Sequence, residues 1–272
     1  MILLILLIVL GMVAGMAAGL FGIGGGLLFT PILFYLFQAV GLEQPATWAI
    51  ATSLFCTFSA SLSSSIQQHR ERNIYWREGI WVGLTGSAGV YVGKSIVLAP
   101  WFSTRLFAGY FTLILLWAAI SFLRKSQISV EATTADGKEK SHILYFTAAG
   151  GLGGMVAALA GVGGGIVMVP LMTLLYRIPV RKAVSISSLA IVMISLSGWL
   201  QFSLFAGSPD GATQYTLGFV DFGTAVPLIA GAFAGGIAGV RLGVRMNQNL
   251  LYFLYAALIA LIAISMVLQL IR

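Results

Sequence analysis

Ten apolar stretches follow one another along this chain of 272 residues, with little polar sequence between them. They run approximately 2–21, 26–42, 46–68, 79–99, 102–123, 143–160, 165–178, 182–206, 220–241 and 248–271. A helix needs about 20 apolar residues to cross the hydrocarbon core of a bilayer, and most of these stretches are long enough. Only 8% of the residues are charged, against roughly 25% in soluble globular domains. Too few charged side chains are present to cover a water-facing surface, so the bilayer is the solvent. The expectation is an all-α polytopic membrane protein with no separate soluble domain. Segments 26–42 and 165–178 are short for full crossings and contain Pro31 and Pro170, which marks them as partial or re-entrant helices. Met1 to Leu10 has no basic flank and runs on into further apolar sequence, so it reads as the start of the first membrane helix and not as a cleaved signal.

The one long polar stretch, 124–142 (RKSQISVEATTADGKEKSH), sits near the middle of the chain. It reads as a cytoplasmic linker between a first transmembrane repeat, 1–123, and a second, 143–272. Internal similarity supports that division. Gly22-Ile23-Gly24-Gly25-Gly26 followed by Pro31 recurs as Gly161-Val162-Gly163-Gly164-Gly165 followed by Pro170. Pro45, Ala49, Ser53, Ser61, Leu62, Ser63 and Gln67 match Pro179, Ala183, Ser187, Ser195, Leu196, Ser197 and Gln201 at a constant offset. Ile74-Tyr75-Trp76 has a weaker echo in Val220-Asp221-Phe222. An ordered series of this kind is a duplication.

Charge relates the halves to each other. If all ten segments cross, or if pairs re-enter, the connections near 70–77, 124–140, 177–182 and 241–245 share one side. Together they carry 12 of the 15 basic residues: Arg70, Arg72, Arg77, Arg124, Lys125, Lys138, Lys140, Arg177, Arg181, Lys182, Arg241 and Arg245. If instead segments one and two, and likewise six and seven, are single broken helices, the basic residues of the connections divide 7 against 6, Arg105 joining the second side. The first arrangement fits the cytoplasmic bias of Lys and Arg far better. It implies two inverted repeats of about five segments each, with both termini away from the cytoplasm. The net charge of +7 is accounted for by the same bias, so it gives no reason to expect nucleic acid as a partner.

The glycine runs are the strongest local feature. Glycine permits left-handed backbone and close approach, and a helix interrupted in lipid needs protein or a watery cavity to satisfy its freed N–H groups. Those amides, at the positive end of the next helix, favour an anion. Two such interruptions at corresponding places point to a transporter's binding site. The candidate substrate-binding residues are Gly24, Gly25, Gly26, Gly163, Gly164 and Gly165, assisted by Thr52, Ser53, Ser187 and Ser188, whose hydroxyls suit an oxyanion. Thr57 and Ser195 recur on the same helices. For Ser61, Ser63, Ser64 and Ser65, interhelical hydrogen bonding is the simpler reading. The rows Gly79, Gly83, Gly86, Gly89, Gly93 and Gly231, Gly235, Gly239, Gly243 have the spacing of close helix packing.

Gly-x-Gly-Gly-Gly with a following proline, present twice, resembles the TauE/SafE sulfite exporter family. The Ala-x-x-x-Ser stretches after Pro45 and Pro179 and the glycine-spaced helix of each half do so as well. The resemblance covers nearly the whole chain. It implies a secondary transporter of the inner membrane whose partner is a small sulfur-containing anion, sulfite or a sulfonate, moved by alternating access, with export favoured. An anion channel, or a carrier importing another small organic anion, remains the alternative. The first half departs from the second at Thr52-Ser53, against Ile186-Ser187-Ser188. A homodimer is compatible with the sequence.

Signals for catalysis are poor. Gly93-Lys94-Ser95 imitates the end of a phosphate loop, but it lies in an apolar helix and Ala88 stands where that motif needs glycine. Neither glycine run satisfies G-x-G-x-x-G. His69 and His142 adjoin polar connections, and with the lone Cys56 they make no metal site. All eight acidic residues fall in connections or at segment ends. Lys94, inside a segment, is expected to snorkel to the interface. No catalytic residue, metal or cofactor is expected.

Overall fold

The computed structural model describes residues 2–21, 25–70, 74–125, 139–176, 178, 180–205, 207, 210–245, 257 and 260–268. Nine helices are described in chain order: α1 (Ile2–Phe21), α2 (Gly26–Val40), α3 (Pro45–Arg70), α4 (Trp76–Val97), α5 (Thr104–Lys125), α6 (Glu139–Ala160), α7 (Gly165–Pro170), α8 (Val180–Leu204) and α9 (Phe222–Arg245). Residues 260–268 are also helical. Of the tenth apolar stretch, 248–271, the remainder lies outside the described residues apart from 257. Pro45–Arg70, Ile143–Ala160 and Lys182–Leu204 are long and apolar enough to cross a membrane, and Leu4–Ala17, Gly26–Val40, Thr104–Trp117 and Phe222–Gly236 are shorter apolar helices. Large apolar side chains such as Leu4, Leu113, Leu144 and Phe233 are exposed, as befits a surface that meets lipid tails.

Apolar burial drives helix association weakly in lipid, and small residues that let backbones approach do more. The glycine rows act in this way. A methyl placed on Gly79, Gly83 or Gly86 would meet Leu189, Met193 and Ile194 in that order, at 2.7, 2.6 and 2.4 Å. Helices α4 and α8 therefore run the same way. Gly86, Gly89 and Gly93 similarly face Gly150, Gly151 and Ala158, so α4 and α6 are also parallel. Gly11 and Gly15 press on Leu228 and Ala232, while Gly231 and Gly235 press on Ile8 and Met12. Helices α1 and α9 thus run side by side in one direction.

These directions determine what happens between α6 and α8. Two parallel helices joined in sequence require the chain to turn back between them. The break after Ala160 is therefore a reversal and not a kink within one crossing. The return is made by the six residues of α7 and a π turn over Leu171–Leu175. Eleven helical residues span only about 16 Å at 1.5 Å each, short of a hydrocarbon core of about 30 Å. Lys182 on α8 pairs with Glu78 on α4 at 3.3 Å, and its ammonium lies 4.7 Å from the centre of the Tyr75 ring. The N-terminal ends of α4 and α8 accordingly sit together.

At the far end, the connection 207–219 holds a feature the apolar pattern does not anticipate. Strands Thr216–Leu217 (β1) and Val220–Asp221 (β2) pair antiparallel around Gly218, at φ 56°. This small hairpin is wedged between the start of α3 and the end of α8. Phe219 packs on Trp48 with ring centroids 5.4 Å apart, and the Phe219 N–H donates to the Phe202 carbonyl at 3.2 Å. Lys94 lies near the same end. It is only 7% exposed, and its ammonium is 5.4 Å from the centre of the Phe205 ring. Phe205, the residue that follows α8, thus lies beside the last turn of α4 and gives the long side chain an aromatic neighbour.

Candidate functional site

Both glycine runs interrupt their helices. Gly25 precedes α2 at φ 73° and Gly164 precedes α7 at φ 79°. This is left-handed backbone that costs a residue with a Cβ roughly 1–2 kcal/mol. Gly161 and Gly163 share it, at φ 70° and 74°. Gly22, Ile23 and the candidate Gly24 lie outside the described residues. In α2 the first internal bond runs from Leu28 N–H to the Gly25 carbonyl at 3.0 Å, so the amides of Gly26 and Leu27 lie ahead of the ladder at the helix's positive end. Five residues into each helix comes a proline, Pro31 and Pro170. Lacking an N–H, each leaves the carbonyl four residues earlier, at Leu27 and Ile166, without its usual partner.

The two interruptions meet. A methyl on Gly26 would lie 2.6 Å from Thr57 Oγ1 and 2.8 Å from Val162 Cα, which brings the first residue of α2 onto the backbone of the second run. A methyl on Gly161 would lie 2.6 Å from Thr30 Oγ1 and 3.1 Å from Ile50 Cα. One on Gly163 would be 2.7 Å from Thr57 Cγ2, 2.8 Å from Ile191 Cγ2 and 3.3 Å from Ser195 Oγ. Gly164 faces the other way, with Gly153 O at 2.3 Å from the same construction. Gly165 is buried at the start of α7. The second run is thus enclosed by α2, α3, α6 and α8, at the place where the halves touch.

The candidate hydroxyls divide into separate roles. Ser53 belongs to the site: Thr30 donates to Ser53 Oγ at 2.8 Å, and Ser53 donates to the Gly161 carbonyl at 2.8 Å. Thr30 Oγ1 also lies 3.1 Å from the Gly26 carbonyl. This chain of hydroxyls braces the second break from the first half. Thr52 instead holds the hairpin, accepting from the Asp221 N–H at 3.1 Å. Ser187 and Ser188 donate to Val184 and Ser185 carbonyls of their own helix, each at 3.0 Å. Ser61 does likewise to Phe58 at 3.0 Å, and among the described residues it shows no bond to another helix.

Three further groups stand out, two of them, Thr57 and Ser195, already marked in the sequence as hydroxyls recurring on the same helices. Thr57 and Ser195 are fully buried, and their hydroxyls have no hydrogen-bond partner among the described residues. Nothing in a sequence separates them from Ser53 or Ser187, because pairing depends on what the opposite half presents. The third is Asp221, at a segment end as expected but 0% exposed. Its carboxylate accepts from Thr213 N–H at 3.0 Å, Thr213 Oγ1 at 2.7 Å and Thr224 N–H at 3.1 Å. It caps α9 and ties down the loop before the hairpin. Among the described residues no cluster of His, Cys, Asp and Glu is arranged to hold a metal ion.

Comparison with known proteins agrees with this architecture. The family model described as sulfite exporter TauE/SafE matches residues 7–266. A "Probable membrane transporter protein" of Methanocaldococcus jannaschii is 28% identical over 250 residues, covering 92% of this chain and 88% of its own. The Bacillus subtilis protein YunE, with the same description, is 24% identical over 264 residues and 91% of each chain. A Haemophilus influenzae protein, again so described, is 25% identical over 258 residues, 92% of this chain and 93% of its own. No solved structure matches. The chain is a multi-pass membrane protein and belongs to the sulfite exporter TauE/SafE family of membrane transporters.

Proposed function

We propose that this protein is a secondary carrier that exports a small sulfur-containing anion, sulfite or a sulfonate, across the inner membrane by alternating access. The carrying observation is the contact of Gly26 with Val162, which joins the interruptions of the two halves at one place. The anion is held there by amides of the two glycine runs, Gly24 to Gly26 and Gly163 to Gly165, at the positive ends of α2 and α7. Ser53 serves this site as a positioning residue through Gly161, and Thr52, Ser187 and Ser188 support the helices on either side. The family description supplies the substrate class.

In the same proposal the halves are inverted repeats. The parallel packing of α4 with α6 and α8, and of α1 with α9, supports it. So does the Lys182–Glu78 pair, which draws the basic connections near 70–77 and 177–182 to one end. With that end in the cytoplasm, the inside-negative potential assists outward movement of an anion by about 2.3 kcal/mol per charge per 100 mV. Rocking of one group of helices against the other would expose the glycine breaks alternately to each side.

The test is flux through the purified protein in liposomes with sulfite, toluenesulfonate, sulfate and acetate. The expected result is saturable movement of sulfite or the sulfonate, accelerated when unlabelled anion is present on the opposite side. A large unitary current without counterflow acceleration would replace the carrier with a channel. Flux of none of the four anions would remove the assignment altogether.

A further inference from the structure

Thr57 and Ser195 break a local habit of this protein. Hydroxyls on helices in an apolar interior commonly bond back to a carbonyl three or four residues earlier. Ser59, Thr112, Thr147 and Thr173 do so here, at 3.3, 2.7, 2.9 and 2.9 Å. Thr57 and Ser195 make no such bond among the described residues, although both are 0% exposed. A buried hydroxyl without a partner is a net cost to the fold. The two come from different halves, α3 and α8, and flank Gly163: a methyl placed there would lie 2.7 Å from Thr57 Cγ2 and 3.3 Å from Ser195 Oγ. Thr57 Oγ1 is also the atom nearest to a methyl placed on Gly26, the first residue of the fifteen-residue helix α2.

We infer that Thr57 and Ser195 are the specificity-determining hydroxyls of the oxyanion site between the two glycine breaks, an assignment that rests on the carrier reading above. Donors from three elements then border the contact between Gly26 and the second run: the amide end of α2, the Thr57 hydroxyl on its Gly26 side and the Ser195 hydroxyl beside Gly163. A pyramidal –SO3 group offers three oxygens to three such donors, whereas a planar carboxylate offers two. The site is neutral. Lys94 and Asp221 are the charged residues buried among the described ones, and each is engaged elsewhere, with the Phe205 ring and with Thr213 and Thr224. Neutral donors bind an anion without holding it as a fixed ion pair, which suits a carrier that must release it on the far side.

The experiment uses the full chain in lipid nanodiscs and measures binding of sulfite, methanesulfonate and acetate. Thr57→Val and Ser195→Ala should each weaken sulfite and methanesulfonate about tenfold or more, as expected for a lost hydrogen bond to a charged group. Acetate should change little, and the unliganded variants should unfold at or above the wild-type temperature, because an unpaired buried hydroxyl has been removed. Thr57→Ser, which keeps the hydroxyl, should bind like wild type. Sulfite affinity within twofold of wild type in both variants overturns the inference and leaves the carrier reading standing. Equal weakening of all three anions, or loss in Thr57→Ser as large as in Thr57→Val, overturns it as well, since packing is then the cause. If Thr57→Val does not fold, Ser195→Ala decides alone. Absence of binding of both sulfur anions by the wild type instead defeats the carrier reading itself.

Discussion

Where the first break leads into fifteen residues of regular helix, the second leads into six, after which the chain slips into a π turn. Both begin on a left-handed glycine and both carry a proline five residues into the helix. The same backbone event thus occurs at both breaks, while the side chains that support it differ. Thr30 and Ser53 brace the second break from the first half. The position matching Thr30 is Val169, which has no hydroxyl to give, and the position matching Ser53 is Ser187, which bonds its own helix. Glycine and proline act through their own φ and missing N–H, so their effect recurs wherever the run recurs. A brace depends on what the other half presents, and the two halves present different surfaces.

The largest effect expected is at the second break itself. Gly164→Ala needs φ 79° and places its Cβ 2.3 Å from Gly153 O; a loss on the order of 4 kcal/mol is expected, read as loss of monodisperse protein on detergent size exclusion. Gly41→Ala is the control, with φ 81° but nothing within 4 Å, and should cost only about 1 kcal/mol. Equal behaviour would show that enclosure of the break is irrelevant. The same reasoning makes leucine at Gly25 or Gly164 a poor probe of binding, because the backbone is strained before any anion is met.

Next comes the contrast between the starts of α4 and α9, where Tyr75 and Asp221 hold equivalent places. Asp221→Ala removes three accepted hydrogen bonds and should destabilise by about 3 kcal/mol. Amide exchange confined to 210–221 should accelerate, and unchanged protection there would deny the carboxylate its anchoring role. Ser53→Ala leaves the buried Gly161 carbonyl unpaired and should cost about 2 kcal/mol, whereas Ser187→Ala should cost well under 1 kcal/mol. Similar thermal shifts for the two would erase the asymmetry drawn above. The smallest effect belongs to Glu78→Gln: its pair with Lys182 is partly exposed, and no more than about 0.5 kcal/mol is expected.

How much of this was legible in sequence follows the same division. Segment 2–21 became Ile2–Phe21 and segment 46–68 became Pro45–Arg70, because apolar length and glycine or proline at the ends act locally. The glycine rows were readable as packing surfaces for the same reason. The hairpin at 216–221 was missed, since two-residue strands leave no alternation to detect. The division of Thr52, Ser53 and Thr57 among hairpin, brace and unpaired donor could not be read, because these neighbours on one helix differ only in what lies across from them.

The pairing of α1 with α9, and of α4 with α6 and α8, has a consequence for how the protein is made. Helix α1 is synthesised well before the surface it packs against, which is encoded some two hundred residues later. It must wait in the membrane for its main partner until α9 has been made. The two halves are thus interlaced like clasped fingers and do not form independent folding units. Fragments 1–123 and 124–272 should be degraded when expressed singly, and should survive when produced together in one cell.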